Sequence, residues 1–207
     1  MYPLVSPARF GHGWGMETSA ANLKIAGHLA AVFGGQPEVT RYQDESGKHH
    51  IDLLRCPEAP EHGVDSFATV GLSDHPRQAE GMEQPIRVEL TGGCASEHAE
   101  AFAAILSTAA FCSIKEGWPV YPGAVFADLV TMYEASRTMQ HVMFTEPFPW
   151  DELEPVKLPE KEVLWLMMVP VSESEAAYAE EHGFEALETL FEEKEVDVFD
   201  LNRAAVV

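Results

Sequence analysis

The chain is poor in cysteine, poor in basic residues and without a long apolar run. Three cysteines, Cys56, Cys94 and Cys112, are spread over 207 residues with no C-x-x-C pair. A small and odd number of cysteines argues against a disulfide scaffold and is typical of proteins in a reducing compartment. The longest apolar run, residues 163–171, is far below the roughly 20 residues of a membrane-spanning helix. The N-terminal stretch also lacks the basic-then-apolar order of a secretory signal, so we expect a cytoplasmic protein.

The shortage of basic residues leaves the chain strongly acidic. Lys and Arg total 13 against 34 Asp and Glu, which gives a formal net charge of −21. This charge repels nucleic acid and anionic membranes, and it attracts a basic partner at a salt-dependent rate. The composition therefore favours a basic protein partner. An acidic surface that only maintains solubility is the alternative.

Hydrophobic periodicity predicts an α+β domain. Ser19, Ser96 and Ser172 are expected to cap helices, the last of them in a capping box with Glu175. Residues 1–15 are predicted to be an irregular lead-in and residues 16–207 a single domain. The last predicted strand is apolar on both faces, which indicates a central, doubly covered strand. Strands are predicted at 38–43, 48–56, 66–73, 84–91, 126–133, 139–145 and 162–171, and helices at 18–35, 95–115, 172–183 and 184–195.

The stretch SFATVGLSDHPRQ places Ser73, Asp74 and His75 side by side. Serine catalysis needs a base within hydrogen-bond reach and an oxyanion hole. Neighbours on an extended strand point to opposite faces, and the G-x-S-x-G elbow is absent from the stretch. We therefore interpret it as a strand bent at Gly71, with Asp74 accepting backbone N–H groups of the following turn.

Two further motifs carry residue types that bind metals or phosphates. His50 and Asp52 share one strand face in a spacing that metal ligands use, but a metal site needs a third ligand. The stretch TGGCASEH joins a strand to a helix, yet it lacks a P-loop lysine and puts Glu97 where a phosphate would lie. We predict no metal site, no cofactor and no catalytic residues.

The acidity is concentrated towards the C-terminus. Residues 172–200 contain eleven acidic residues against one basic residue, Lys194. Glu185, Glu188, Glu192 and Glu195 recur at helical spacing, which is typical of a solvated helix face or of a surface for a basic partner. Strand ends are the other expected contact points. The predicted partner-binding residues are Leu72, Ser73, Asp74, Thr145, Glu146, Glu185, Glu188 and Glu192.

Six stretches of the chain resemble, in the same order, the suppressor of fused (SUFU) domain family. IRVELT stands where the family has its E-L strand, MQHVMFTEP is similar to its I-Q-H…T-E segment, and DVFDLNR to its terminal D-x-x-R strand. The order and spacing make the match specific over most of the chain. The stretches are FATVGLSD (67–74), IRVELT (86–91), the helix at 96–114, MQHVMFTEP (139–147), VLWLMMVPVSESEAAYAEEHGFEALETLF (163–191) and DVFDLNR (197–203).

The resemblance implies both a fold and a class of function. The fold is a mixed, largely antiparallel central sheet flanked by helices, and the family implies no enzymatic activity. Its animal member is a two-lobed negative regulator that clamps a transcription-factor peptide in the Hedgehog pathway. Stand-alone bacterial members look like immunity proteins that bind and neutralise a toxin domain. This chain resembles only the N-terminal lobe, so the immunity-type role is the one carried over.

Three hypotheses about function result. The first is a non-enzymatic, immunity-type protein that neutralises a cognate toxin or binds another basic protein. The second is a regulatory adaptor that captures an extended peptide at an exposed sheet edge. The third is a metal-dependent hydrolase centred on His50 and Asp52.

Overall fold

The computed structural model describes residues 5–8, 18–44, 46–75, 78–79, 82–83 and 86–207. In chain order, the strands and helices of these ranges are β1 (Val5–Ala8), α1 (Ala20–Phe33), β2 (Glu38–Asp44), β3 (His50–Cys56), β4 (Val64–Val70), β5 (Gln78–Ala79), β6 (Met82–Glu83), β7 (Ile86–Ala95), α2 (Ala99–Glu116), β8 (Val125–Phe126), β9 (His141–Thr145), β10 (Val156–Lys157), β11 (Glu162–Val171), α3 (Glu173–His182) and α4 (Phe184–Glu193). Short 3-10 helices lie at Leu72–Asp74, Ser96–His98 and Thr131–Tyr133.

Nine of the described strands form one sheet in the order β1-β2-β3-β4-β7-β11-β9-β8, with β10 paired to β11. Every described pairing is antiparallel except that of β11 with β7, whose register runs from Glu162↔Ile86 to Met167↔Thr91. A parallel pair needs a long crossover, which the chain from α2 to β10 supplies. The expected α+β fold, with a mixed, largely antiparallel sheet flanked by helices, is confirmed.

Helices cover both faces of this sheet. Helix α2 packs against β4 and β7 on one face, and α1, α3 and α4 belong to the core of the other face. Side chains of β11 alternate between these two cores. Leu166 and Met168 face α2, whereas Trp165, Met167 and Val169 face the other helices. The prediction that 162–171 is a central, doubly covered strand is therefore confirmed.

Two adjacent glycines of β7 allow aromatic rings to approach the sheet from opposite sides. A Cβ atom on Gly92 would lie 2.6 Å from the ring of Phe102, which comes from α2. A Cβ atom on Gly93 would lie 2.6 Å from the ring of Phe199, in the C-terminal segment. Because these rings fill the space beside the glycines, the stretch TGGCASEH serves core packing.

Two of the three predicted helix N-caps are present in the structure, and one is not. Ser19 accepts a hydrogen bond from the Asn22 N–H, and Ser172 forms the expected capping box with Glu175. Ser96 does not cap α2, because a 3-10 turn intervenes and the Ser96 hydroxyl donates to Asp65 Oδ1 at 2.6 Å. The prediction of an N-cap at Ser96 is wrong, since a buried carboxylate from β4 takes its hydroxyl.

Two further segments differ from the predicted elements. The strand expected at 126–133 is reduced to Val125–Phe126, because Asp128 adopts a left-handed φ of 57° and the buried Leu129 and Val130 lie in a turn before the 3-10 helix. Within the predicted irregular lead-in, Val5–Ala8 forms β1 and pairs with β2. Residues 1–4 and 9–15 of that lead-in lie outside the described residues. No helix of the described chain is long and apolar enough to cross a membrane.

Candidate partner-binding site

The turn that follows β4 is closed by Glu89, a residue of β7. Gly71 has a φ of 112°, in the left-handed region, and the chain then turns into the 3-10 helix. The fully buried Glu89 carboxylate accepts hydrogen bonds from the N–H groups of Gly71, Leu72 and Ser73 at 2.9, 3.2 and 3.0 Å. Burial raises the pKa of Glu89, although these hydrogen bonds oppose the rise.

Asp74 forms hydrogen bonds with two residues outside the turn. Asn22 Nδ2 of α1 donates to Asp74 Oδ2 at 2.7 Å. Lys161 Nζ donates to Asp74 Oδ1 at 2.6 Å and to Ser73 Oγ at 2.9 Å. The N–H groups of Gly71, Leu72 and Ser73 are bonded to Glu89. Residues 76 and 77 of the turn in which Asp74 is expected to accept N–H groups lie outside the described residues, so that interpretation stays a prediction. Ser73 and Asp74 converge on one lysine, since a 3-10 turn replaces the extended strand that would separate them.

The contact between Ser73 and Lys161 lacks the features of a nucleophilic site. An activating base must accept the serine proton, whereas Lys161 Nζ is bound to Asp74 and acts as a donor towards Ser73 Oγ. The Ser73 N–H, which could stabilise an oxyanion, is already bonded to Glu89. Only 1% of the surface of Ser73 is exposed. These contacts connect α1, the turn and the residue that directly precedes β11.

Asp52 of the His50–Asp52 pair is bound to an arginine. Arg41 donates to both carboxylate oxygens of Asp52, from Nε at 2.7 Å and from Nη2 at 3.0 Å. His50 is exposed at the start of β3. Among the described residues, no group of three or more His, Cys, Asp and Glu side chains has a geometry that could hold a metal ion.

A groove of about 600 Å³ lies between the end of β9 and helix α4. Its floor is apolar and consists of Met143 of β9, Val169 of β11, Phe191 of α4 and Val198 of the C-terminal segment, all of them buried. A volume of this size is typical of ligand pockets. The groove is therefore large enough to receive several side-chain atoms of a partner.

Glutamates form the rim of this groove. Glu188 and Glu192 lie one turn apart on α4, Glu195 follows the end of the helix, and Glu146 lies directly after β9. The Thr145 hydroxyl donates to the Glu188 carboxylate and so connects the two sides. We name this feature, with its apolar floor and its four rim glutamates, the acidic groove.

Phe148 lines the acidic groove from the loop after β9. This ring is 54% exposed. Sequence analysis did not find Phe148 because a loop has no hydrophobic periodicity. Its flanking prolines, in the stretch EPFPW, were the available signal, since they present an aromatic ring on a stiff loop.

The structure brings together four of the predicted partner-binding residues. Thr145, Glu146, Glu188 and Glu192 all line the acidic groove, although they come from segments more than 40 positions apart. Glu185 is exposed on α4. Contact of these residues with a partner remains a prediction.

The other predicted residues lie at the turn after β4, in a separate place. Leu72 and Ser73 are buried there, and only Asp74 of the three is exposed. Because buried side chains have little surface to offer, a contact at this turn depends mainly on Asp74 and its neighbours.

Comparison with known proteins now identifies the family. The model of the family described as Suppressor of fused protein (SUFU) matches residues 47–204. The chain belongs to the SUFU family. It is also 38% identical, over 193 residues, to a Bacillus subtilis (strain 168) protein named Immunity protein YqcF, with 93% of this chain and 100% of that protein covered. The resemblance inferred from the motifs is thereby confirmed.

Solved structures of SUFU proteins share the fold at low sequence identity. A SUFU homologue from Neisseria gonorrhoeae has a TM-score of 0.57 at 16% identity, covering 90% of this chain and 96% of its own. A chain of a Sufu–Fu complex gives 0.62 at 16% identity, with 89% and 91% covered. Drosophila Suppressor of Fused gives 0.60 at 15% identity, and the match spans 89% of this chain but 51% of that protein. This SUFU chain thus corresponds to about half of the Drosophila protein.

Proposed function

We propose that this SUFU-family chain is an immunity-type protein that binds and neutralises a cognate toxin. The observation that carries the proposal is the 38% identity, over the full length of the relative, to a protein named as an immunity protein. Binding a toxin needs no chemical step from this chain. A role inside the producing cell fits its three free, buried cysteines.

The charge of the chain supports a basic toxin as the partner. A net charge of −21 favours association with a positive surface and repels nucleic acid. The acidic groove concentrates this charge, because Glu146, Glu188, Glu192 and Glu195 surround one apolar floor. We propose the acidic groove as part of the contact surface, since exposed loops and helix ends on a rigid sheet are common places for binding.

Co-expression with the neighbouring gene tests the proposed neutralisation. Each reading frame adjacent to the gene for this chain is expressed in a bacterial host, alone and together with the chain. We expect one frame to arrest growth alone and the chain to restore growth. If no adjacent frame is toxic, or if toxicity persists beside the folded chain, the proposal is overturned.

Salt dependence tests the electrostatic part of the proposal. The purified complex is titrated between about 0.05 M and about 1 M salt, over which the Debye length falls from more than about 10 Å to about 3 Å. We expect the association rate to fall steeply over this range, because steering between opposite charges is screened. An association rate that salt leaves unchanged would contradict a basic partner.

An open sheet edge favours a second candidate function, the capture of an extended peptide. Strand β8 ends the sheet in the described chain and pairs with β9 through Val125 and Phe126. Tyr121 and Val125 are exposed beside this edge, at 54% and 36%. A peptide could extend the sheet there by strand addition. Selection of linear peptides against the chain separates the two functions, because neutralisation of a toxin requires a folded surface.

A further inference from the structure

We propose that the acidic groove receives an arginine side chain that projects from the partner. The proposal rests on the proposed function only in that it takes the partner to be a basic protein. Its basis is the composition of the groove, in which an apolar floor, a carboxylate rim and an exposed aromatic ring meet in about 600 Å³. These three elements correspond to the aliphatic stem, the charge and the flat face of an arginine.

The combination of floor and rim selects a side chain that is both long and cationic. A purely apolar occupant would remove water from the rim carboxylates without placing a positive charge beside them, which is costly. A compact metal ion would leave the floor of Met143, Val169 and Phe191 empty. A side chain with a methylene stem covers the floor and places its charge at the rim.

Phe148 favours arginine over lysine. The ring is 54% exposed at the edge of the acidic groove, close to the glutamates of the rim. A guanidinium is planar and weakly hydrated, stacks on aromatic faces and binds carboxylates through two N–H groups. A lysine ammonium is a strongly hydrated point charge that gains less from such a ring.

The protein already binds one of its own arginines in this way, with a carboxylate from α3 and an aromatic ring from α4. The guanidinium of Arg203 donates to Glu175 and lies 5.0 Å from the ring centroid of Phe191. Phe191 also forms part of the groove floor. A carboxylate combined with an aromatic ring is thus a geometry that this fold can build around α4.

Methionine-methyl NMR with short peptides tests the proposal on the full chain. Met143 lies in the groove floor, so its methyl resonance reports occupancy directly. The probes are the capped pentapeptide Gly-Leu-Arg-Leu-Gly and the same peptide with lysine or with citrulline, the uncharged isostere of arginine. Titration extends to about 20 mM, at which a contact of millimolar affinity is close to saturation.

We expect the arginine peptide to shift the Met143 resonance at the lowest concentration, followed by the lysine peptide. Citrulline should shift it little. Equal affinity for arginine and citrulline would overturn the role of the charge, and equal affinity for arginine and lysine would overturn the choice of arginine. An unchanged Met143 resonance at the highest concentration would overturn the site.

Matched variants locate the contact. The double variant Glu192→Gln/Glu195→Gln should weaken arginine-peptide binding about five- to tenfold, as expected for two exposed ion pairs. The control Glu181→Gln/Glu193→Gln removes the same charge from exposed residues outside the groove lining and should change affinity less than about twofold. Phe148→Leu should abolish the preference for arginine over lysine. Equal effects of the two double variants would overturn the proposal.

The two proposals fail in different ways. If the chain neutralises a toxin but the groove variants leave neutralisation and the Met143 resonance unchanged, the arginine contact is wrong and the immunity-type function stands. If the arginine peptide binds as expected but no adjacent frame is toxic, the groove assignment stands and the partner is a basic protein of another kind.

Discussion

The carboxylate of Glu175 and the guanidinium of Arg203 form a buried, bidentate ion pair. Arg203 Nη1 lies 2.6 Å from Glu175 Oε1, and Nη2 lies 2.9 Å from Oε2. Arg203 also donates to the Pro170 carbonyl at 3.0 Å, while Glu175 accepts the N–H groups of Ser172 and Val206. The pair therefore connects the C-terminal segment to α3 and to the end of β11.

Replacement of this arginine should destabilise the fold strongly. Arg203→Ala leaves the Glu175 carboxylate buried without its counter-ion, which costs about 3–5 kcal/mol of the free energy of unfolding. Urea denaturation of the purified variant measures this loss. Arg137→Ala is the control, because Arg137 is exposed. It should stay within about 0.5 kcal/mol of the original chain. Equal losses in the two variants would contradict the importance of the pair.

Glu175 should also make stability depend on pH in the acidic range. Burial would raise the pKa of Glu175, but hydrogen bonds from Arg203 and Ser172 outweigh it, and the pKa lies below its ordinary value. The ionised form therefore stabilises the fold above the unfolded-state value of about 4.3, and this contribution is lost as pH falls through the folded-state pKa.

The variant Glu175→Gln isolates this contribution. The difference in unfolding free energy between the original chain and Glu175→Gln should be constant near neutral pH and should shrink below about pH 4.3. Denaturant titrations at a series of pH values supply the comparison. A difference that stays constant down to pH 3, or that grows there, would show that the carboxylate has no lowered pKa.

The two acidic residues at the turn after β4 should differ in their effect on stability. Glu89→Gln removes an acceptor from buried N–H groups and turns an amide donor towards them. This should lower the free energy of unfolding by about 1–3 kcal/mol for each unsatisfied group. Asp74→Ala removes contacts of an exposed side chain with Lys161 and Asn22, which should lower the free energy of unfolding by about 1 kcal/mol or less. Thermal unfolding of both variants ranks them. A larger loss for Asp74→Ala would contradict the closure of the turn by Glu89.

A pair of glycine variants should change stability in opposite directions. Gly92→Ala places a methyl group 2.6 Å from the Phe102 ring and 3.2 Å from the Met168 carbonyl, so it should cost about 1–3 kcal/mol. Gly27→Ala lies on the exposed side of α1 with open space around it, and it should stabilise the chain by up to about 1 kcal/mol. Differential scanning calorimetry of each variant gives the sign of its change in stability. Stabilisation by Gly92→Ala would contradict the close packing of Phe102.

The sequence predicted the elements whose patterns are local. The double apolar face of β11 and the capping box at Ser172 both depend on residues within a few positions of one another, and both were confirmed. Ser96 failed as a cap because Asp65, 31 positions away, competes for its hydroxyl. A local rule cannot include a partner from another strand.

In the candidate site too, local patterns predicted some features and the fold decided the others. Periodicity predicted that glutamates would share one face of α4, and strand-end reasoning selected Thr145 and Glu146. Only the pairing of β9 with β11, beneath α4, places these two groups around one groove. At the turn after β4, the residue that closes the turn depends on which carboxylate the folded sheet buries beside it. The local sequence does not show which one this is.

Composition and periodicity alone determined the acidity of this protein, its two-faced central strand and the caps of two of its helices. These properties are sums over residues or depend on neighbours in the chain. The tertiary structure alone decided that Glu89 closes the GLSD turn, that Arg203 pairs with Glu175 and that Phe148 lines the same groove as the glutamates of α4. A buried charge or an exposed ring acquires its role from the groups that folding brings within hydrogen-bond distance, and sequence separation does not specify those groups.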